Sequence, residues 1–384
     1  MKYRQFGTLD WETSALGFGC MRFPTENGNE NIDEAKATSM LRYAIDQGVN
    51  YVDTAYPYHG GNSEPFVGRV LQDGYRDKVR LATKLPSWKI EESEDFDTYL
   101  NEQLERLRTD HIDFYLLHAL REKWWPKLRD LGVLEWGEKA KADGRIDHLG
   151  FSFHDEYDVF EEIVDAYDWT FCQIQYNYMD IESQAGTKGL EYAASKGLAV
   201  VIMEPLLGGR LVDPPGRVQE IWDQAPRQRT AADWALQWLW NQPEVSVVLS
   251  GMSTMEHVEE NVTSAAKSGI DILTEEELAL VDQVREVYKD LCPIPCTQCN
   301  YCMPCPHGVH IPRNFEIYNQ GAMYEKSESA RRSYELLEEE KRANACIACL
   351  ECEDECPQNI PVSDWMVHVH EVLGEDAPYV CELP

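Results

Sequence analysis

The sequence has few basic residues for its length. It contains 35 Lys and Arg against 68 Asp and Glu, which gives a formal net charge of −33 at pH 7. A nucleic-acid-binding protein needs a basic face to neutralise phosphates, so this balance argues against nucleic acid as a ligand. The simplest interpretation is a solvated acidic surface. A salt-rich cytoplasm and a basic partner protein are the alternatives.

Long apolar runs are also missing. No segment approaches the roughly 20 apolar residues of a membrane-spanning helix, and the first residues do not resemble a secretory signal. We therefore expect no membrane span and a cytoplasmic location, where thiols stay reduced. A G-x-G-x-x-G fingerprint is missing as well, which weighs against a doubly wound dinucleotide-binding sheet.

Residues 1–290 alternate between short apolar runs and amphipathic stretches. A buried parallel strand is a short apolar run bounded by turn residues. Eight strand–helix units in this length predict an α/β fold, a TIM (β/α)8 barrel, with an open doubly wound sheet as the alternative. Pro293 and Pro295 then break the chain, so we place the barrel domain at residues 1–291. The eight candidate strands are residues 15–20, 49–55, 79–85, 112–119, 146–153, 171–177, 198–205 and 245–251.

Cysteine is concentrated near the end of the chain. Eight of the twelve cysteines lie in two runs, CTQCNYCMPCP and CIACLECEDECP. Each run spaces its first three thiols two residues apart and ends in Cys-Pro, which is typical of proteins with two [4Fe-4S] clusters that exchange their fourth ligand. The spacing therefore predicts two ligand sets: Cys296, Cys299, Cys302 and Cys356 for one cluster, and Cys346, Cys349, Cys352 and Cys305 for the other.

Zinc and disulfides are weaker interpretations of the same cysteines. Zinc also binds C-x-x-C pairs, but overlapping triplets that end in Cys-Pro are unusual for zinc. Disulfides suit small secreted domains rather than thiols that lie close together in a large chain. The spacer between the runs, about forty residues, has helical patterns. We therefore predict a small, mainly helical ferredoxin-type domain with two clusters at residues 292–384.

Four polar side chains stand at predicted strand ends, where a TIM barrel carries its functional residues. Asp53 follows VNYV, Tyr58 lies in the next loop, Lys84 ends LATK and His118 ends FYLLH. Together they suit carbonyl reduction. Tyr58 would donate a proton once the Lys84 ammonium lowers its pKa, Asp53 would position Lys84, and His118 would donate to the carbonyl oxygen. Each has an ordinary structural explanation alone, but four at successive strand ends favour a catalytic site.

These segments resemble the aldo/keto reductase family. The resemblance covers about residues 1–290 and rests on GVNYVDTAYPYHGGNSE, LATKLP, DFYLLH, GFSFHD, QIQYNYMD, VIMEPLLGGRL and SGMSTMEHVEENV. The two cysteine runs resemble the branch of that family that is fused to a ferredoxin-like domain. The resemblance implies a TIM-barrel oxidoreductase with the four residues above as its catalytic tetrad and a nicotinamide across the barrel mouth.

The resemblance also implies contacts with a nucleotide. Near the nicotinamide it places Ser152, His154 and Gln175, with Tyr176 as a stacking platform. Along the pyrophosphate it places Glu204, Pro205, Leu206, Gly208, Gly209 and Arg210. At the adenosine end it places Ser250, Gly251, Met252, His257, Glu260 and Asn261. NADP-binding members typically carry a Lys and an Arg around the 2′-phosphate, where this chain has Gly251 and His257. A preference for NADP is therefore in doubt. The chain could instead bind NAD, bind a different nucleotide, or bind nucleotides poorly.

Hydride chemistry and iron–sulfur chemistry differ in electron count. A nicotinamide moves two electrons together and a cluster moves one, so exchange between them needs a splitter such as a flavin. We expect an oxidoreductase that reduces a small-molecule carbonyl with NAD(P)H or a flavin, with two clusters in electron transfer and a redox protein as partner. The alternative is an electron-transfer or redox-sensing subunit whose barrel docks a partner or a nucleotide. No motif indicates the substrate or the oligomeric state.

Overall fold

A computed structural model describes residues 1–26, 28–296, 299–356 and 358–380. They form two compact units. The first unit comprises Met1–Gly208 and Ala232–Thr274, and the second comprises Gly209–Ala231 and the described residues from Glu275 onward. The boundary between residues 291 and 292 stays a prediction. Within the described ranges, no helix has the length and apolar character needed to cross a membrane.

The first unit is built around a closed barrel of eight parallel strands. A hairpin of β1 (Tyr3–Gln5) and β2 (Glu12–Ser14) precedes the barrel. The neighbouring strands follow the order β10-β3-β4-β5-β6-β7-β8-β9, so the last strand closes on the first. The predicted TIM barrel is confirmed, and each of the eight predicted segments supplies one strand: β3 (Leu16–Gly19), β4 (Tyr51–Asp53), β5 (Arg80–Leu85), β6 (Ile112–Leu120), β7 (Ile146–Phe153), β8 (Phe171–Gln175), β9 (Ala199–Met203) and β10 (Val245–Ser250).

Amphipathic helices follow the strands and cover the barrel. The first helix begins where the side chain of Asp33 accepts a hydrogen bond from Lys36 N, and it buries Met40 and Leu41 against the strands. In chain order the first ten helices, of which α8 lies in the second unit, are α1 (Glu34–Asp46), α2 (Ser63–Val70), α3 (Glu94–Leu107), α4 (Trp125–Asp130), α5 (Val133–Ala142), α6 (Tyr157–Asp165), α7 (Gly186–Ser195), α8 (Gly216–Trp222), α9 (Ala231–Trp240) and α10 (Met255–Ala265).

The barrel interior is apolar at its amino-terminal end. Phe6, in the hairpin, packs on Phe114 with ring centroids 4.6 Å apart, and on Tyr51 and Phe171. These rings belong to one buried cluster inside the barrel. Because side chains alternate along a strand, the residue two or four positions further on also points inward. This parity brings polar side chains to the interior of the carboxyl-terminal end, among them Asp53, Lys84, His118, Ser152 and Gln175.

The second unit is mainly helical, as predicted. Its buried core includes Phe315, Tyr318 and Trp365. Residues 209–231 also belong to this unit, and Arg227 and Arg229 of that segment pair with the buried carboxylate of Glu277, at 2.5 and 2.7 Å. Besides α8, the helices are α11 (Glu275–Asp290), α12 (Ile311–Met323), α13 (Ser327–Glu335), α14 (Glu351–Asp354) and α15 (Val362–Gly374).

Candidate functional site

A buried ion pair lies at the carboxyl-terminal end of the barrel. Lys84 ends β5, and its ammonium contacts both carboxylate oxygens of Asp53 at 2.7 Å and the carbonyl oxygen of Thr54 at 2.8 Å. Both charged side chains are almost completely removed from solvent. Burial works against the charged form of Lys84, but the Asp53 carboxylate holds its pKa above the usual value. Lys84 therefore stays an ammonium at neutral pH.

Tyr58 stands next to this pair. Its hydroxyl oxygen lies 3.4 Å from Lys84 Nζ, and the ammonium is 5.0 Å from the centre of its ring. The loop that carries Tyr58 is anchored by the adjacent His59, which is buried with φ of 53° and whose Nδ1 lies 2.7 Å from the carbonyl oxygen of Asn29. Burial raises the pKa of Tyr58, and Lys84 only partly opposes this. The net direction is opposite to the one we expected from Lys84 alone.

His118 completes the group of four. Its ring lies 6.2 Å from that of Tyr58, and its buried Nδ1 has no hydrogen-bond partner among the described residues. Burial and then the nearby Lys84 lower its pKa well below the ordinary value, so the imidazole is neutral.

The strand that carries His118 has a bulge just after it. The register of β6 against β7 shifts between Leu117 and Leu120, and Ala119 has φ of 53°. Ser152 Oγ accepts the Ala119 N–H at 2.8 Å, which compensates this bulge.

Gln175 presents an unpaired acceptor inside the barrel. Its Nε2 donates to Asp180 at 2.7 Å, whereas its buried Oε1 has no partner within the described ranges. A buried amide oxygen needs a donor, so this atom fits a ligand group with an N–H, such as a carboxamide. His154 is half-buried, with Nδ1 3.2 Å from Gln184 Oε1, and burial lowers its pKa. Gln175, His154 and Ser152 stay predicted contacts of a nicotinamide.

Tyr176 points away from the barrel interior. Its side chain is buried among the residues that pack outside the strands, 5.3 Å from the Trp238 ring. Its hydroxyl lies 2.8 Å from Thr187 Oγ1 and 3.3 Å from Gln242 Oε1. This environment is that of a packing residue, and the structure does not bring Tyr176 together with Gln175 and His118.

The loop after β9 is tightly turned. Glu204, Leu207 and Gly208 have φ values of 57°, 49° and 67°. The Leu207 N–H donates to the carbonyl oxygen of Glu204 at 3.0 Å, and Asn177 Nδ2 donates to the same oxygen at 3.3 Å. Pro205 is buried and Leu206 is half-buried. Gly209 and Arg210, also predicted for the pyrophosphate, belong to the second unit.

The residues predicted for the adenosine end surround the start of α10. Asn261 Nδ2 donates to Ser250 Oγ at 2.8 Å, and both side chains are buried, as is Met252. Gly251 and His257 are exposed, and Glu260 is half-buried. The structure thus brings the end of β10 and the first turns of α10 together.

Two residues near this site escaped the sequence analysis. The Trp88 ring lies 5.2 Å from the His118 ring, so it forms part of the wall beside the tetrad. Arg22 follows β3 by three residues, and its side chain passes over Gly251. Neither residue stands at the end of a strand, where a TIM barrel carries its functional side chains. The position of Trp88, an aromatic residue only four positions after Lys84, could have indicated that it lies beside the site.

The second unit holds the predicted metal ligands. One cavity is lined by Cys296, Cys299, Cys302 and Cys356, together with apolar residues that include Phe315 and Ile360. Burial raises the pKa of Cys302, and the other three thiols are near enough to add to the shift. The donor set predicted for one cluster is therefore collected in one place, with Cys356 from the second run. The thiols suit iron–sulfur ligation.

The other four cysteines also lie in the second unit. Cys346 and Cys352 are near enough to interact electrostatically, and with Cys305 they pack against the core of the second unit, whereas Cys349 is exposed.

Comparison with known proteins identifies the barrel. The model of the "Aldo/keto reductase family" matches residues 15–286. The chain belongs to the aldo/keto reductase family. A second model, described as "4Fe-4S dicluster domain", matches residues 295–360. This member of the family therefore carries an iron–sulfur domain after its barrel, as its cysteine runs predicted.

Individual relatives match the barrel portion. The uncharacterized oxidoreductase YqkF of Bacillus subtilis (strain 168) is 29% identical over 75% of this chain and 99% of its own length. The NADH-specific methylglyoxal reductase of Escherichia coli (strain K12) is 27% identical over 69% of this chain and 93% of its own. An aldo-keto reductase from Klebsiella pneumoniae in complex with NADPH has a TM-score of 0.62 at 27% identity, over 74% and 95% of the two chains.

The cavity lined by Cys356 generates a test of ligand exchange between the two runs. We expect Cys296→Ala and Cys356→Ala each to lower the iron content from about eight to about four per chain, because both remove a ligand of the same cluster. The double variant should then lose no more iron than either single variant. The measurement is iron and sulfide per chain, with electron paramagnetic resonance of the reduced protein, after purification without oxygen.

Cys292→Ala is the matched control, since Cys292 lies four residues before Cys296 and outside both predicted ligand sets. It should keep the full iron content. A double variant that loses all its iron, while each single variant keeps half, would contradict the shared cluster.

Proposed function

We propose that the barrel of this chain is a nicotinamide-dependent carbonyl reductase, and that residues 292–384 bind two [4Fe-4S] clusters that exchange electrons with a redox partner. The observation that carries the reductase is the buried Lys84–Asp53 pair beside Tyr58 and the neutral His118 at the carboxyl ends of the strands. Bound NAD(P)H supplies the hydride that reduces the carbonyl carbon.

The four side chains supply the proton and the charge stabilisation. Tyr58 donates its hydroxyl proton to the carbonyl oxygen as negative charge develops there. The Lys84 ammonium stabilises the resulting tyrosinate, and Asp53 keeps that ammonium charged and in place. His118 donates an N–H hydrogen bond that orients the carbonyl oxygen. The product is an alcohol, and Tyr58 regains its proton from solvent.

The nucleotide assignment is supported by the polar atoms that the barrel leaves unsatisfied. Gln175 Oε1 is buried without a partner in the described chain, and it lies on the inward face of its strand, as His118 does on its own. A nicotinamide carboxamide has the N–H donor that this oxygen needs. The Escherichia coli relative is NADH-specific and the Klebsiella pneumoniae structure holds NADPH, so similarity does not select between the two nucleotides.

The clusters take part in one-electron transfer in this proposal. The two ligand sets are Cys296, Cys299, Cys302 with Cys356, and Cys346, Cys349, Cys352 with Cys305. Because a hydride carries two electrons and a cluster one, direct coupling between carbonyl reduction and the clusters requires a splitter such as a flavin. Without a flavin, the clusters serve the partner protein and the barrel reduces its substrate independently.

Tyr58→Phe tests the proton donor. We expect the rate of carbonyl reduction to fall by about 10² to 10⁴, because general acid catalysis contributes that much. The measurement is kcat with NADH and NADPH against a panel of small aldehydes and ketones. Tyr56→Phe is the matched control, because the Tyr56 hydroxyl contacts Glu102 and its ring faces Arg106 rather than Lys84. Equal loss in both variants, or in neither, would refute the role of Tyr58.

The pH dependence of the reduction follows from the shifted groups. Burial keeps the pKa of Tyr58 above its ordinary value of about 10, and that of His118 well below about 6.5. Both groups thus hold their working protonation state across neutral pH. We expect kcat for reduction to be level between about pH 7 and pH 9 and to fall only as Tyr58 loses its proton at higher pH. A titration step with its midpoint inside the level range would argue against this assignment.

The composition of the anaerobically purified protein tests the cofactors. We expect about eight irons and eight sulfides per chain, and a nicotinamide nucleotide that binds to the barrel. A bound flavin in addition would connect the clusters to substrate reduction. Zinc without sulfide would overturn the cluster assignment, and the failure of both NADH and NADPH to bind would overturn the reductase.

A further inference from the structure

An arginine from the first barrel loop lies at the mouth of the barrel. β3 is the neighbour of β10, so the loop after β3 adjoins the loop after β10. A Cβ atom added to Gly251 would lie 2.7 Å from Arg22 Cγ, and one added to Gly208 would lie 4.0 Å from Arg22 Nη2. The Arg22 side chain therefore passes over Gly251, and its guanidinium approaches Gly208.

Arg22 has no partner in the part of the chain that the structure describes. Its guanidinium is exposed and makes neither a hydrogen bond nor an ion pair there. Other arginines of the barrel unit, such as Arg80, Arg106 and Arg145, contact carboxylates at less than 3 Å. Acidic side chains outnumber basic ones almost twofold. An unpaired guanidinium in such a chain is available for an anion from outside it.

We propose that Arg22 binds the pyrophosphate of the nicotinamide nucleotide, an inference that rests on the proposed nucleotide cofactor. A guanidinium presents a planar pair of N–H donors that matches two phosphate oxygens. Arg22 spans the loops after β9 and β10, at the rim between the barrel interior and the start of α10. The pyrophosphate occupies the middle of a dinucleotide whose nicotinamide lies in the barrel, so the position of the guanidinium suits it.

This assignment also explains why residue 251 is glycine. Gly251 does not have the positive φ that favours glycine, so its backbone would accept a side chain. The space that a Cβ would take is instead occupied by Arg22 Cγ. The glycine therefore leaves room for Arg22, which comes from the loop after β3. The loop after β10 thus has a positive charge beside it although residue 251 carries none.

The test compares nucleotide binding by the full-length protein and Arg22→Gln. Equilibrium binding of NADH, NADPH and ADP-ribose is measured by calorimetry or by nucleotide fluorescence, without substrate. All three contain the pyrophosphate. We expect Arg22→Gln to weaken all three by a similar factor, about 10- to 100-fold, the range for a lost hydrogen bond to a charged group. The affinity of Arg22→Lys should lie between those of the parent and Arg22→Gln, because lysine keeps the positive charge but lacks the planar pair of N–H donors.

Arg108→Gln is the matched control for the change in net charge. Arg108 is exposed and ends α3, on the side of the barrel where β6 begins. This variant should bind all three nucleotides like the parent. Gly251→Ala should weaken binding in the parent, since the new methyl group displaces Arg22, and should have little further effect in Arg22→Gln.

The possible results distinguish the role of Arg22 from the proposal that the barrel binds a nicotinamide nucleotide. A parent protein that binds none of the three nucleotides contradicts the nucleotide cofactor, and with it the role of Arg22. A parent that binds them as tightly as Arg22→Gln overturns the role of Arg22 alone. A loss confined to NADPH would place Arg22 at the 2′-phosphate and refute the pyrophosphate.

Discussion

The buried ammonium of Lys84 is the constraint on which the candidate site depends. An isolated charge in a barrel interior is costly, and breaking a buried ion pair typically destabilises a protein by about 3–5 kcal/mol. Asp53 and the carbonyl oxygen of Thr54 satisfy the ammonium at 2.7 to 2.8 Å, and these three acceptors match its three protons. Tyr58 at 3.4 Å is a more distant neighbour. Lys84 therefore acts on Tyr58 mainly through its charge, and that effect strengthens as the tyrosine loses its proton.

The end of β5 that carries Lys84 is held from outside the barrel. Gln103 in α3 donates to the Lys84 carbonyl oxygen at 3.1 Å and accepts from the Tyr115 hydroxyl at 2.6 Å. Its Nε2 also contacts the buried Glu64, whose carboxylate accepts from Thr83 at 2.7 Å. A side chain that must reach a partner within a few tenths of an ångström needs a backbone that does not move. This polar network fixes the backbone of Lys84 without entering the site.

The sequence predicted the barrel strands and the iron–sulfur domain because both rest on local patterns. Eight apolar runs mark eight strands, and thiol spacing alone grouped Cys356 with the first run, in agreement with the cavity they share. It did not predict features that depend on tertiary contacts. The bulge at Ala119, the net rise in the pKa of Tyr58 and the reach of Arg22 across Gly251 each result from residues distant in sequence. Strand parity could have placed Tyr176 outside the barrel, since Gln175 before it faces inward.

Net charge shapes how this barrel can hold a dinucleotide. A nicotinamide nucleotide is an anion, and a chain with a formal charge of −33 repels it at long range. Salt screens charges beyond about 8 Å at physiological ionic strength, so distant carboxylates matter less than groups at the site. The affinity for the nucleotide then depends mainly on local positive groups, among them the first turn of α10 and the unpaired Arg22. In such a protein, a cation without an internal carboxylate partner indicates an anion site only where it also lies at the barrel mouth, as Arg22 does and Arg108 does not.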